Sequence, residues 1–141
     1  MKNISISLFK GYSDTLPAEV TLQQVVNLIK NDTSVREHTE KHRYYAAQGQ
    51  TNAAAREKSS CPCFAVAVRF KNGKQKDHIT GWTGLSLVDI DHVAAGRLPQ
   101  LLEVIRADKH TLIAYRTIGG FGIRIIFPTD YVSDNFGRNL K

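Results

Sequence analysis

Leu85-Ser86-Leu87-Val88-Asp89-Ile90-Asp91-His92 is an apolar run that ends in two acids, and Thr117-Ile118-Gly119-Gly120-Phe121-Gly122-Ile123-Arg124 is a glycine-rich turn leading into an apolar run headed by a basic residue. Residues two apart in a strand project to the same face, so Asp89 and Asp91 are expected to present their carboxylates side by side. Adjacent carboxylates repel unless a cation sits between them. Mg²⁺ or Mn²⁺, which takes oxygen ligands and keeps waters or phosphate oxygens in its shell, fits that role. Glycines at 119, 120 and 122 permit positive φ and close backbone approach, so their amides can face an anion, with Thr117 at the mouth of the turn. Arg124 adds a permanent charge suited to phosphate oxygens. An acid pair for metals and a glycine-basic element for phosphates together point to nucleotide chemistry. Each motif also has an architectural reading: Asp91 could cap a helical turn through His92, Val93 and Ala94, and the glycines could form a plain hairpin turn beside an exposed arginine.

The elements that must position these residues belong to a chain of 141 residues, long enough for one compact domain with a real core. A single domain over residues 1–141 is therefore the expectation. Nineteen basic against thirteen acidic side chains leave a formal charge of +6, which favours a polyanionic partner, nucleic acid ahead of a membrane. No apolar stretch approaches the roughly 18 residues of a membrane span, and the N-terminus carries no long apolar leader, so the chain reads as cytoplasmic. The only cysteines, Cys61 and Cys63, flank Pro62, too close to close a useful loop and too few for a zinc site; the five histidines match no standard zinc spacing. They read as two reduced thiols entering a strand.

Alternation over Ile4–Phe9 predicts a strand, and residues 11–17 supply a turn. Thr21 and Gln24 spell a capping box before Leu22, Val25, Val26 and Ile29 at helical spacing, which predicts a helix to about Lys30. A second, mostly polar helix is expected from about Ser34 to Ala47, with Glu37 and Lys41 spaced for an ion pair. Residues 48–60 have little to bury and read as a flexible loop whose alanines could hold a short helix. A strand over Phe64–Phe70 leads into Asn72-Gly73, a hairpin signal, which crowds Lys71, Lys74 and Lys76 at one exposed tip beside Arg69. Such a tip is either a solvated turn or a phosphate-contacting finger. Trp82–Ile90 reads as a central strand buried on both faces, Pro99–Ala107 as a helix, and Thr111–Tyr115 and Ile123–Phe127 as two strands joined by the glycine turn. The fold class is α+β, helices packed on a mainly antiparallel sheet.

Taken together these residues resemble the archaeo-eukaryotic primase-polymerase superfamily, and more closely the VirE-like N-terminal domains that precede primase or helicase modules on bacterial mobile elements. The likeness extends over nearly the whole chain: the opening Ser-Leu-Phe strand, the helix near Thr21 to Lys30, the second helix with Arg43, Pro62-Cys63-Phe64 at a strand entry, and Thr83-Gly84-Leu85 before the acids. Leu87-Val88-Asp89-Ile90-Asp91-His92 is its most specific element, and Thr117 to Arg124 stands where the family writes Ser-x-Ser-Gly-x-Gly-Leu followed by lysine or histidine.

The resemblance implies a primase-polymerase or RRM-like core, Asp89 and Asp91 as catalytic metal ligands for Mg²⁺ or Mn²⁺, and Thr117, Gly119, Gly120, Gly122 and Arg124 holding nucleotide phosphate. This chain departs from the family pattern in three ways. Thr117 and Gly119 replace serines, Arg124 replaces the histidine of active enzymes, and no acid lies in a clear strand beyond it, since Asp130 and Asp134 follow Pro128. Arginine cannot exchange a proton near neutral pH but can hold a triphosphate. The chain's ending soon after the last strand fits the N-terminal part of a longer protein or a family member reduced to its binding half.

The reading taken is a primase-polymerase-like nucleotide- and nucleic-acid-binding domain acting in replication or mobilisation of a mobile element, without catalysis assigned to this chain alone. Its expected partners are single-stranded DNA or primer-template, a nucleoside triphosphate and a C-terminal helicase or primase module. The alternative is a non-catalytic single-stranded DNA-binding module on the same fold, gripping DNA with Arg69, Lys71, Lys74, Lys76 and Arg124. A hydrolase with Asp89 as nucleophile is weaker, because His92-Val93 follows the second acid where such enzymes commonly carry a small polar residue.

Overall fold

Thr21 closes one strand and opens a helix. In a computed structural model that describes residues 4–129, β1 (Ser5–Phe9) pairs antiparallel with β2 (Ala18–Thr21), Ser5 lying opposite Thr21. The Thr21 hydroxyl accepts from the Gln24 amide at 3.1 Å and the Gln24 side chain accepts from the Thr21 amide at 2.8 Å, which completes the predicted capping box at the start of α1 (Leu22–Asn31). That helix buries Leu22, Val25 and Val26. Thr21→Ala removes the cap acceptor and is expected to cost about 1 kcal/mol, with Thr21→Ser retaining most of it. Urea midpoints of the two variants provide the check, and an unchanged midpoint for the alanine variant would show the cap to be dispensable.

The chain divides into two compact units, residues 1–83 and 84–141. In the first, β1 is central in the sheet β2-β1-β3, β3 (Cys63–Ala65) being its other antiparallel neighbour. Central placement explains why Ser7 is buried between Ile6 and Phe9; its hydroxyl accepts from the Phe70 amide at 2.8 Å, so the buried polar group is satisfied. α2 (Thr33–Ala47) is N-capped by Asp32 and buries no residue, as its polar sequence requires. It is tied to α3 (Thr51–Ser60) by His38 Nδ1 to Glu57 Oε2 at 2.7 Å and His42 Nδ1 to the Ala54 carbonyl at 2.7 Å. Residues 48–60, expected as a flexible loop, thus become helical from Thr51 onward, with Ala54 buried.

Two runs that looked continuous are broken. The stretch expected as one strand over Phe64–Phe70 is β3 followed by β4 (Val68–Phe70), which pairs instead with β5 (Ile79–Trp82). The hairpin signal is met, Asn72 taking φ +62°, but the connection is longer than a tight turn and includes a 3-10 turn at Lys76–His78. The expected central strand Trp82–Ile90 is likewise divided: Gly84, at φ +78°, separates β5 from β6 (Leu85–Ile90), which belongs to another sheet. Cys61 and Cys63 are free, and burial raises both thiol pKa values.

In the second unit β6, β8 (Ile123–Pro128) and β7 (Ile113–Arg116) form an antiparallel sheet in the order β6-β8-β7. β8 is the central strand and β6 pairs on one side only among the described residues, so Leu87 and Val88 are exposed rather than buried on both faces. α4 (Leu98–Ala107) packs Leu98, with Leu101, Leu102 and Ile105 beside it, against Ala114, Ile123 and Ile125. The fold is α+β with antiparallel sheets throughout, and among the described residues no helix is long and apolar enough to cross a membrane.

Candidate functional site

The register of the second sheet brings the two sequence motifs together. Arg124 on β8 lies opposite Asp89 on β6 and opposite Tyr115 on β7, and Ile123 lies opposite Ile90. Alternation puts Ala114, Ile123 and Ile125 toward α4, so Asp89, Arg124 and Tyr115 form a row across the other face. Arg124 Nε donates to Asp89 Oδ1 at 2.8 Å and Nη2 donates to Oδ2 at 3.1 Å, a two-pronged fork. Both side chains are about a third exposed (33% for Asp89, 34% for Arg124), so solvent screens the pair and its net worth is about 1 kcal/mol. Hydrogen bonding to Asp89 raises the arginine's pKa further above its ordinary value, and the neighbouring Tyr115 phenol acts in the same direction. Burial raises the Tyr115 pKa, which keeps that phenol neutral.

Asp91 follows the last residue of β6, where the chain turns through His92 at φ +57°. It caps no helical turn: residues 92–94 are not helical, and the 3-10 turn at Ala95–Arg97 starts from Ala94 without a side-chain cap. Its carboxylate lies instead beside the glycine turn. A methyl group placed on Gly122 would meet Thr117 Oγ1 at 2.8 Å, the Ile90 carbonyl oxygen at 3.0 Å and Asp91 Oδ1 at 3.4 Å. Glycine at 122 is therefore what lets the turn approach the acid.

The turn itself is closed by Gly120 N–H to the Thr117 carbonyl at 3.0 Å and Thr117 N–H to the Gly122 carbonyl at 3.0 Å, with Gly120 at φ +86°. Val93 N–H donates to the Phe121 carbonyl at 2.7 Å, and Arg116 Nη2 donates to the Gly120 carbonyl at 3.0 Å. The Thr117 and Gly120 amides are thus used inside the turn. Phe121, at the tip, is exposed.

The basic set is placed in the first unit. Arg69 is on β4 opposite Gly81, whose missing side chain makes room for the guanidinium. Lys71 and Lys76 are exposed near the hairpin connection. Lys74 turns inward: its Nζ donates to the Tyr12 carbonyl and sits 5.5 Å from the Phe9 ring centre and 5.1 Å from that of Tyr12. It acts as a cation on two aromatic faces rather than as a free tip charge. Asp130 and Asp134 lie outside the described residues.

Tyr115 and Arg116 are site residues that motif reading passed over. Once the turn is placed at 117–122, counting outward along a hairpin pairs Tyr115 with Arg124, so the signal was present in the spacing.

The model of the BT4734-like, N-terminal domain family matches residues 56–140, more than half of the chain and every residue of this site. The chain belongs to that family. No curated protein and no solved structure matches it. The BT4734-like region begins at Arg56 within α3 and takes in the acids, the glycine turn and Arg124. Lys10 and Tyr12 fall outside it.

Proposed function

We propose that this domain binds a nucleoside triphosphate with a divalent metal, and nucleic acid, as a primase-polymerase-like, VirE-related domain serving replication or mobilisation of a mobile DNA element. The observation that carries the reading is the Asp89–Arg124 fork next to Asp91 and the glycine turn. The fork is self-neutralised. A bare cation must separate Asp89 from Arg124, and a bare phosphate must separate Arg124 from Asp89, so each alone has an ion pair to break. A metal–triphosphate complex offers both charges at once: its cation suits Asp89 and Asp91, and its phosphates suit Arg124 and the glycine turn.

Two carboxylates, with waters and phosphate oxygens completing the shell, are a donor set that Mg²⁺ or Mn²⁺ commonly accepts. Among the described residues no group of three metal-ligating side chains is present. A metal held there would neutralise phosphate charge, the contribution such ions make to nucleotidyl transfer. Exposed Phe121 offers a ring on which a base can stack.

The fork also favours a second reading, a single-stranded DNA-binding module in which Arg124 permanently neutralises Asp89. The two separate cleanly. Binding of a labelled nucleoside triphosphate at fixed ionic strength, with and without Mg²⁺ or Mn²⁺, is expected to require metal. It should weaken roughly 10- to 100-fold in Asp89→Ala/Asp91→Ala, the scale of hydrogen bonds to charged groups. Binding indifferent to metal and to both substitutions would overturn the nucleotide reading and leave the DNA-binding module.

A further inference from the structure

The first unit carries a groove that the site above does not use. It is open and lined by Lys10, Gly11, Ser13 and Asp14 of the β1–β2 loop and by Arg56 and Ser59 of α3. Gly11 lets the loop lie against the end of the helix: a methyl there would come within 2.8 Å of the Ser59 carbonyl, which instead accepts from the Tyr12 amide at 2.8 Å. The loop is held from within as well. Asp14 accepts from the amides of Lys10 at 2.8 Å and Leu16 at 3.0 Å, and these bonds lower its pKa. Both Asp14 oxygens are thereby occupied by backbone donors, while the Lys10 and Arg56 side chains bring positive charge to the groove.

Tyr12 stands between groove residues Gly11 and Ser13, 74% exposed, with its backbone fixed by Ser59 and its ring beside Lys74 Nζ. Beyond its contact with Lys74 the ring stands open to solvent on a loop whose backbone is already held. Cations lining the groove and an exposed ring on the same loop are what a strand of unpaired nucleotides requires: bases stack on the ring and phosphates follow the cations.

We infer that Tyr12, Lys10 and Arg56 form a binding platform for single-stranded nucleic acid. The inference deepens the nucleic-acid part of the function proposed above and rests on that part alone, since triphosphate binding at Asp89 is read separately. Except for Arg56, the platform residues lie outside the family match.

The test uses the full chain with fluorescein-labelled oligothymidylate and oligouridylate, followed by anisotropy over a range of salt concentrations. Tyr12→Ala is expected to weaken binding about tenfold or more, and Tyr12→Phe to retain it, because stacking needs the ring and not the hydroxyl. Lys10→Gln/Arg56→Gln is expected to flatten the slope of log affinity against log salt by about 1.4, two phosphate contacts on a single strand. Metal-dependent triphosphate binding, which Asp89→Ala/Asp91→Ala weakens roughly 10- to 100-fold, is measured separately from the oligonucleotide titration. Circular dichroism confirms that each variant is folded. Tyr12→Ala binding within twofold of the unaltered chain, or no oligonucleotide binding even at low salt, overturns the platform, and neither result touches the triphosphate measurement. A preference between the two oligomers distinguishes DNA from RNA as the natural strand.

Discussion

Arg124→Gln is expected to move two affinities in opposite directions. Glutamine keeps a hydrogen-bonding amide near Asp89 but removes the charge that the 2.8 and 3.1 Å contacts deliver. Asp89 then loses its counter-charge, and the binding of free Mn²⁺ should tighten roughly tenfold as the metal replaces it. The same substitution takes a permanent phosphate partner from the site, so the metal–triphosphate complex should bind about 10- to 100-fold more weakly. Manganese binding followed by electron paramagnetic resonance and triphosphate binding followed by anisotropy give the two numbers on one preparation. Both affinities falling together would mean that Arg124 only scaffolds the acids. Neither changing would remove the fork from the site's chemistry.

The largest stability effect is expected from Ile123→Ala. Ile123 is fully buried among Leu98, Ala114, Leu101, Leu102 and Ile105, and its neighbour in sequence is Arg124. Truncation removes three heavy atoms from a site where α4 and the sheet close on each other. The transfer loss plus an incompletely collapsed cavity is worth about 2–5 kcal/mol, against about 0.5–1.5 for Ile123→Val. A domain of this kind commonly has only about 5–15 kcal/mol to lose. The urea midpoint should fall steeply with little change in slope, and amide exchange should quicken in β6, β7 and β8. An alanine variant costing less than the valine variant would contradict the packing of α4 on β8.

The same residues show what a sequence does and does not disclose. Local signals were legible: the Thr21–Gln24 box, α4 with Leu101, Leu102 and Ile105 at helical spacing, and the β7–β8 hairpin around the glycines all follow from neighbours in sequence. β2 was missed because Ala18-Glu19-Val20-Thr21 is short and sits at a sheet edge, where little patterning is demanded. The two broken runs failed for a related reason. An apolar stretch carries no record of which sheet each half joins, and nothing in the residues around Gly84 announces the positive φ that ends a strand there. Strand order was equally hidden, so β6 was expected in the middle and the structure has β8 there.

The site was half legible. Motif spacing brought Asp89, Asp91 and the glycine turn into one argument, and the sheet does juxtapose them. Motif spacing also gave Asp89 a metal and Arg124 a phosphate as separate partners. That the two side chains grip each other depends on cross-strand register between residues 35 apart in sequence, which no local pattern encodes. Lys74 is the other instance: its contacts with Phe9 and Tyr12 join opposite ends of the first unit's sequence, and a lysine beside Asn72-Gly73 read naturally as a solvated tip.

Thr21 has a further consequence, for which changes of chain length this domain can survive. Its backbone is the last pair in the β1–β2 ladder opposite Ser5, its side chain starts α1, and the next amide, that of Leu22, donates to the Ile4 carbonyl at 2.8 Å. No spare residue separates strand from helix. One residue inserted between Val20 and Thr21 must either slip the ladder, turning every β2 side chain to the opposite face, or move the cap off the helix it begins. Insertions and deletions among descendants of this sequence should accordingly avoid the β2–α1 junction and collect in connections such as the one after Lys71, where the hairpin already accommodates extra residues.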